Sequence, residues 1–263
     1  MWAPDVYDGT SLLVTAFLLT VVKTAIFFYL IFFLVKVLKC FYFIWSPLFV
    51  LSGFISIIIG TFGALYQNKL KRFLAFTSMS QLGLSLISLG LFFDNNFLAI
   101  SFSILNFIIY IFTSLVFFII LFSGLNNKNN ALNKFESTKF SLSELTEFNT
   151  YFSFLLTLNT LSMAGIPPLL GFFPKYLILS LFSGYSPIFV LLLLLLHLVN
   201  TFNYLRLIQI FWFKKLIYFS YFNLDFLTEK YENKFLTLDF LSWLNLILIL
   251  KLDFLVKLFS KFI

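Results

Sequence analysis

The stretch Gly165-Ile166-Pro167-Pro168-Leu169-Leu170-Gly171-Phe172-Phe173-Pro174-Lys175-Tyr176-Leu177-Ile178-Leu179 breaks a long apolar segment with three prolines and follows the break with a lysine. Tyr151 to Ala164 and Leu169 to Phe182 are largely apolar, so the whole reads as one membrane crossing made of two half-helices. Pro167 and Pro168 have no amide hydrogen to offer the carbonyls of Met163 and Ala164, and Pro174 has none for Leu170. In hydrocarbon a bare carbonyl is tolerated only where protein or water covers it, so the broken crossing is expected to line a hydrated interior and not to face lipid. Lys175 sits just past the opening. An ammonium at membrane depth costs about 3 kcal/mol or more on insertion scales, which suits a group that gains and loses a proton. The competing structural account is a lysine snorkelling from a helix end.

Composition sets the class around this stretch. With 61% hydrophobic and 11% charged residues in 263, the chain is a polytopic helical membrane protein, because a soluble core of this size does not need so much apolar surface. Cys40 is the lone cysteine, which excludes a disulfide framework and a cysteine metal site. The net charge of +7 comes from dispersed lysines, without the clustered patch that binds nucleic acid. The 41 phenylalanines, with abundant Leu, Ile, Asn, Lys and Tyr, match an A+T-rich gene, for which a mitochondrial genome is the expected source. The acidic start and the long apolar run from Ser11 argue against a cleavable signal.

Seven crossings are predicted: Leu12–Val35, Ile44–Tyr66, Phe73–Phe93, Phe97–Phe122, Tyr151–Phe182 (broken), Pro187–Phe213 and a weaker Phe235–Val256. The expected organisation is a segment 1–35 with a central lysine, Lys23, then a five-helix unit 36–215, then a connection and last helix over 216–263. Lysine and arginine favour one side by ten to four, among them Lys69, Lys71, Arg72, Lys214 and Lys215, which puts the amino terminus and the loops 123–150 and 214–234 on the inner side.

Polar residues inside the spans fall three and four apart, so they share helix faces. The third span carries Thr77, Gln81, Ser85 and Ser88; the fourth Ser103, Asn106, Tyr110 and Thr113; the sixth His197, Asn200 and Tyr204. Any single stripe is explained by interhelical hydrogen bonding. Three stripes together with intramembrane Lys23 and Lys175 predict a wet polar file for protons or ions. His197 reads either as a proton relay or as a neutral imidazole bonded to a carbonyl. For Arg206 a structural ion pair or a headgroup contact is expected.

Several stretches resemble one family. Trp2-Ala3-Pro4-Asp5-Val6-Tyr7-Asp8-Gly9 followed by Lys23, Gly63-Ala64-Leu65-Tyr66-Gln67 running into Leu70-Lys71-Arg72-Phe73-Leu74-Ala75-Phe76-Thr77-Ser78, and Ala164-Gly165-Ile166-Pro167-Pro168-Leu169-Leu170-Gly171-Phe172 with Lys175 are similar to the antiporter-like membrane subunits of respiratory complex I. The lysine after the break and Asn203-Tyr204-Leu205-Arg206-Leu207 are closest to the subunit 2 branch of that family. The resemblance implies an all-α fold with an antiporter-like five-helix repeat, a helix broken at Gly165, Pro167, Pro168 and Pro174, and proton transfer by Lys23 and Lys175 coupled to quinone reduction elsewhere. It implies no cofactor in this chain, with NADH, FMN, iron–sulfur clusters and ubiquinone bound by other subunits, and with lipids around it. The partners it implies are other complex I membrane subunits in the mitochondrial inner membrane, with the amino terminus on the matrix side. The chain begins inside the first motif and lacks the preceding charged residues of the family. Either the gene is split or the subunit is reduced; because Lys23 alone would be an unpaired charge, a separately encoded amino-terminal half against Leu12–Val35 is the favoured expectation. A subunit of a sodium/proton antiporter complex and a purely structural scaffold are the alternatives.

Overall fold

The computed structural model describes residues 2–91, 97–126, 150–184 and 187–218, and these are helical nearly throughout. A short helix α1 (Trp2–Gly9) precedes the first crossing, which runs as one rod of α2 (Leu12–Phe17), a π turn (Leu18–Val22), α3 (Lys23–Phe32) and a second π turn (Phe33–Val37). A 3₁₀ turn at Lys39–Phe41 leads into α4 (Tyr42–Leu65), and α5 (Leu70–Gly90) and α6 (Phe97–Asn126) follow. The broken crossing is α7 (Thr150–Ala164) and α8 (Phe172–Ser183), and α9 (Pro187–Tyr218) comes next. Among the described residues five helices are long and apolar enough to cross a bilayer unaided. The two halves of the sixth, 15 and 12 residues, are each too short against the ~20 a bilayer needs. The seventh predicted crossing, the loop 214–234 beyond Tyr218 and most of the loop 123–150 lie outside the described residues.

The fold is inside-out in polarity relative to a soluble bundle. Of the five long spans α5 is the least apolar and the most enclosed, whereas the first crossing and α9 present most of their apolar surface outward. Phe17, Val21, Ile26 and Tyr29 on one, and Leu191, Leu195, Leu198 and Phe202 on the other, are exposed. Hydrocarbon does not penalise those side chains, but it penalises the serines, threonine and glutamine of α5, which the other helices surround.

Small residues make that enclosure possible. A Cβ placed on Gly60 of α4 would lie 2.7 Å from the carbonyl oxygen of Phe76 and 2.7 Å from the amide of Ser80 on α5. Gly53, Gly83 and Gly90 meet the facing helix as closely, so the two backbones run in direct contact.

Two features differ from the sequence expectation. The acidic leader is a helix, α1, held to the start of α5 by ion pairs of Asp8 with Lys69 (2.7 Å) and Arg72 (3.2 Å) and of Asp5 with Arg72 (3.1 Å). Lys71, read above as an inner-loop charge, is 1% exposed and donates to the carbonyl of Thr10 at 2.5 Å. That anchorage starts the third crossing at Leu70 and not at Phe73.

Replacing Gly60 with valine forces α4 off α5 and should cost about 1–3 kcal/mol or more by overpacking. The check is thermal unfolding of the detergent-extracted protein; Gly9→Ala, where a Cβ meets nothing within 4 Å, should leave the transition in place.

Candidate functional site

The break at the end of α7 is a Schellman turn. Gly165 has φ +82, the region that favours glycine; its amide donates to the Ser162 carbonyl (3.1 Å) and that of Ile166 to Leu161 (3.3 Å). Beyond it Pro167-Pro168, joined by a cis peptide, and the turn to Leu170 carry the chain to α8. The two carbonyls that the prolines leave open are those of Met163 and Ala164. Lys175, in the first turn of α8, closes both: its Nζ donates to Met163 at 3.0 Å and to Ala164 at 2.7 Å. The ammonium therefore sits on the negative end of the α7 dipole as well as on its open acceptors. At 7% exposed, Lys175 is buried inside the protein and does not snorkel.

Gly171 lets the halves close up, since a Cβ there would overlap the carbonyl of Ser162. Beside the lysine lies a cavity of about 10 Å³ lined by Gln81, Asn106, Tyr110, Ser162, Pro174 and Lys175, among others. That is space for roughly one water. Asn106 Nδ2 and Ser162 Oγ are buried here and have no hydrogen-bond partner among the described residues. The break thus opens onto a polar interior. The cavity is too small for an organic cofactor, and no group of three or more His, Cys, Asp or Glu gathers among the described residues.

The second lysine enters from the other side. Lys23 directly follows the π turn Leu18–Val22, a local widening of the helix often found at functional sites. Its Nζ donates to Ser78 Oγ on α5 and stands 5.7 Å from the centre of the Tyr7 ring. The amine turns inward to α5 and finds a neutral hydroxyl there, while no carboxylate pairs with it among the described residues. Ser78 in turn donates to the Ala75 carbonyl (2.6 Å) and lies near the Tyr110 phenol. Tyr110 lines the cavity next to Lys175, so Ser78 and Tyr110 place polar groups between the two amines.

The other sequence-predicted residues are placed as follows. Thr77 and Gln81 lie near the phenol of Tyr204 from α9, which is buried at 1% exposed. Ser85 is buried farther along α5 and donates only to the Leu82 carbonyl of its own helix (2.7 Å). His197 is close enough to Lys175 for their charges to interact, but it does not line the cavity, nor does Asn200. His197 Nε2 and Asn200 Oδ1 have no partner among the described residues. Of the roles expected for Arg206, the ion pair is not formed among the described residues: its guanidinium donates to the Leu65 carbonyl and to Asn68 Oδ1 (3.2 Å), so it caps α4.

Sequence reasoning left out Ser78, Ser162 and Asn159. Asn159 ties α7 to α6 by donating to the Thr113 carbonyl at 2.9 Å. Ser78 stands three residues before Gln81 and Asn159 three before Ser162, so the spacing that marked the other stripes also marks these.

These features define a polytopic helical membrane protein in which a broken helix and two inward-turned lysines meet a polar interior. The chain belongs to the family described as NADH:quinone oxidoreductase/Mrp antiporter, transmembrane, whose profile matches residues 1–200. It is 35% identical over 225 residues to NADH-quinone oxidoreductase subunit N of Wolbachia sp. subsp. Brugia malayi, across 82% of this chain and 44% of that one. It is 31% identical over 213 residues to NADH-ubiquinone oxidoreductase chain 2 of Rhizopus oryzae, across 80% of this chain and 40% of that one. A chain of respiratory complex I from Thermus thermophilus shares the fold with a TM-score of 0.64 at 21% identity, covering 97% of this chain and 53% of that one. The chain spans less than half the length of the two relatives compared.

An alanine at Gly165 would have to adopt φ +82 with its Cβ 2.8 Å from Lys175 Nζ. It should destabilise the fold by about 1–3 kcal/mol, read as a lower unfolding temperature of the purified protein.

Proposed function

We propose that this chain is a proton-translocating membrane subunit of a respiratory complex I, NADH:ubiquinone oxidoreductase, working without a cofactor of its own. The observation that carries the reading is the succession of polar groups, Ser78, Tyr110 and the cavity lining, between the inward-turned Lys23 and Lys175. Family membership and the printed names of the relatives support it.

Each group has a defined part. Lys175, held on the Met163 and Ala164 carbonyls, stores a proton and releases it into the cavity. Tyr110 and Ser78 each carry one hydroxyl hydrogen and two acceptor lone pairs, so each takes a proton on one side as it passes its own to the other. With Lys23 charged, the Ser78 hydrogen rests on the Ala75 carbonyl; when Lys23 is neutral, the same hydrogen turns to the amine. His197, whose buried and open Nε2 belongs to a ring close enough to Lys175 for their charges to interact, and Asn200, three residues on, extend the route on the α9 side. Quinone reduction in other subunits drives the cycle by changing which amine holds the proton.

The finer placement belongs to the same proposal. The A+T-biased composition and the ten-to-four lysine and arginine asymmetry support the mitochondrial inner membrane with the amino terminus in the matrix. Other membrane subunits of the complex are the partners. A separately encoded amino-terminal half against Leu12–Val35 draws support only from the exposed apolar residues Phe17, Val21 and Ile26, since Lys23 is seated on Ser78 without it.

The family description also names the Mrp antiporter, and this favours one other reading, a cation/proton antiporter subunit. Sodium-dependent transport by the purified protein in vesicles, without NADH dehydrogenase partners, would select that reading.

Lys175→Ala and Lys23→Met in the assembled, vesicle-reconstituted complex should each abolish most proton pumping per NADH oxidised; full pumping would overturn the assigned roles. Ser78→Ala leaves the Lys23 amine without its acceptor. A hydrogen bond to a charged group is worth about 1.5–3 kcal/mol, so pumping should fall about tenfold or more. Ser85→Ala, whose hydroxyl serves only its own helix, should pump normally.

A further inference from the structure

Tyr7 is the one aromatic side chain whose ring is placed against the charge of Lys23 among the described residues. It projects from α1, outside the bilayer-crossing helices, and reaches back into the packed interior, where it is 4% exposed. It belongs there to one apolar cluster with Leu12, Leu19, Leu70, Phe73 and Leu74. Burial pushes the Tyr7 phenol above its ordinary value, so the ring meets the ammonium as a neutral π-face and not as a counter-ion. Its phenol is also close enough to Tyr110 for the two to interact electrostatically.

We propose that Tyr7 is a positioning residue for proton transfer, its ring holding the charged form of Lys23 onto Ser78. The inference rests on the role assigned to Lys23 above and adds the part that selects its charged form. At 5.7 Å from the ring centre Nζ is within cation–π range, and the attraction acts on the ammonium while the neutral amine has no charge to offer the ring. Lys23 therefore has two different sets of partners in its two protonation states: ring and Ser78 oxygen when charged, Ser78 hydrogen alone when neutral.

The mount of the ring is rigid. Asp8, the next residue along α1, pairs with both Lys69 and Arg72, Asp5 pairs with Arg72, and Lys71 holds the Thr10 carbonyl. Four bonds to the start of α5 thus fix the helix that carries Tyr7 to the helix that carries Ser78. Ring and acceptor move together.

The test is a ring series in the complete, vesicle-reconstituted complex. Tyr7→Phe keeps the π-face at the same size and should pump as wild type. Tyr7→Leu keeps an apolar side chain without one and should lower protons pumped per NADH oxidised by roughly 2- to 30-fold, the span of a cation–π contact. Full pumping by Tyr7→Leu, or a Tyr7→Phe as impaired as Tyr7→Leu, would overturn the proposal. If Tyr7→Leu does not assemble, it is combined with Lys23→Met: recovery of assembly once the charge is gone supports the ring's role, and continued failure refutes it. Lys23→Met alone separates the two levels, because full pumping there removes the proton-transfer reading itself, whereas its loss beside normal pumping in Tyr7→Leu removes only the part given to Tyr7.

Discussion

The structure turns on two carbonyl oxygens, those of Met163 and Ala164, which a helix break leaves open at membrane depth. In water such groups cost little; in hydrocarbon an unmet backbone polar group costs several kcal/mol. The chain meets them with one amine, Lys175, at 3.0 and 2.7 Å. The two problems resolve each other, because the buried ammonium needs acceptors as much as the carbonyls need a donor. Carbonyls cannot neutralise a charge as a carboxylate would, so the lysine is held in place and is not locked into a permanent ion pair. This is the condition for a group that carries a proton for part of a cycle.

That local solution dictates what surrounds it. A site made of open carbonyls and an amine must be kept from lipid, so α7 and α8 are packed among α5, α6 and α9, and α5 becomes the enclosed core of the bundle. A polar core gains little from hydrophobic burial in a membrane. Its cohesion comes from backbone contact at Gly53, Gly60, Gly83 and Gly90 and from interhelical amides such as Asn159 to Thr113 and Asn203 to Thr61. The hydroxyls of Thr77, Ser80, Ser85 and Ser88 mostly bond to carbonyls of their own helix, where they are satisfied without specifying a partner. Ser78, Gln81 and Tyr110 are different, because they face groups on other helices.

The legible part of this arrangement is the part with a local signature. Prolines at 167, 168 and 174 marked the break, and Lys23 and Lys175 stood out because a charge in an apolar run is rare. Spacing placed Asn106, Tyr110 and Gln81 on faces that do meet at the cavity. Spacing says which residues share a face of one helix and nothing of which face meets which, so the stripe took in Ser85 and passed over Ser78, although the first bonds to its own helix and the second holds Lys23. Arg206 as a cap on α4, and α1 as a helix tied to α5, depend on residues about 60 to 140 positions away. No local pattern records such pairings, and charge complementarity between Asp5-Asp8 and Lys69-Arg72 was the one available hint.

The ionic collar at the amino terminus and the buried lysine pair belong to one design. Lys69 and Arg72 are half-exposed at the end of α5, where ion pairs of this kind contribute little to stability by themselves. What they fix is orientation: Asp5 and Asp8 have to meet them, and this fixes the rotation of α1 and with it the direction of Tyr7. Lys71, buried against Thr10, pins the same junction from within. The region that reads in sequence as a charged surface loop is therefore better understood as the frame that holds the entrance side of Lys23 in register with Ser78. A weak set of surface contacts acquires its value from what it aligns a few ångströms deeper, where a misplaced amine would find hydrocarbon in place of an oxygen.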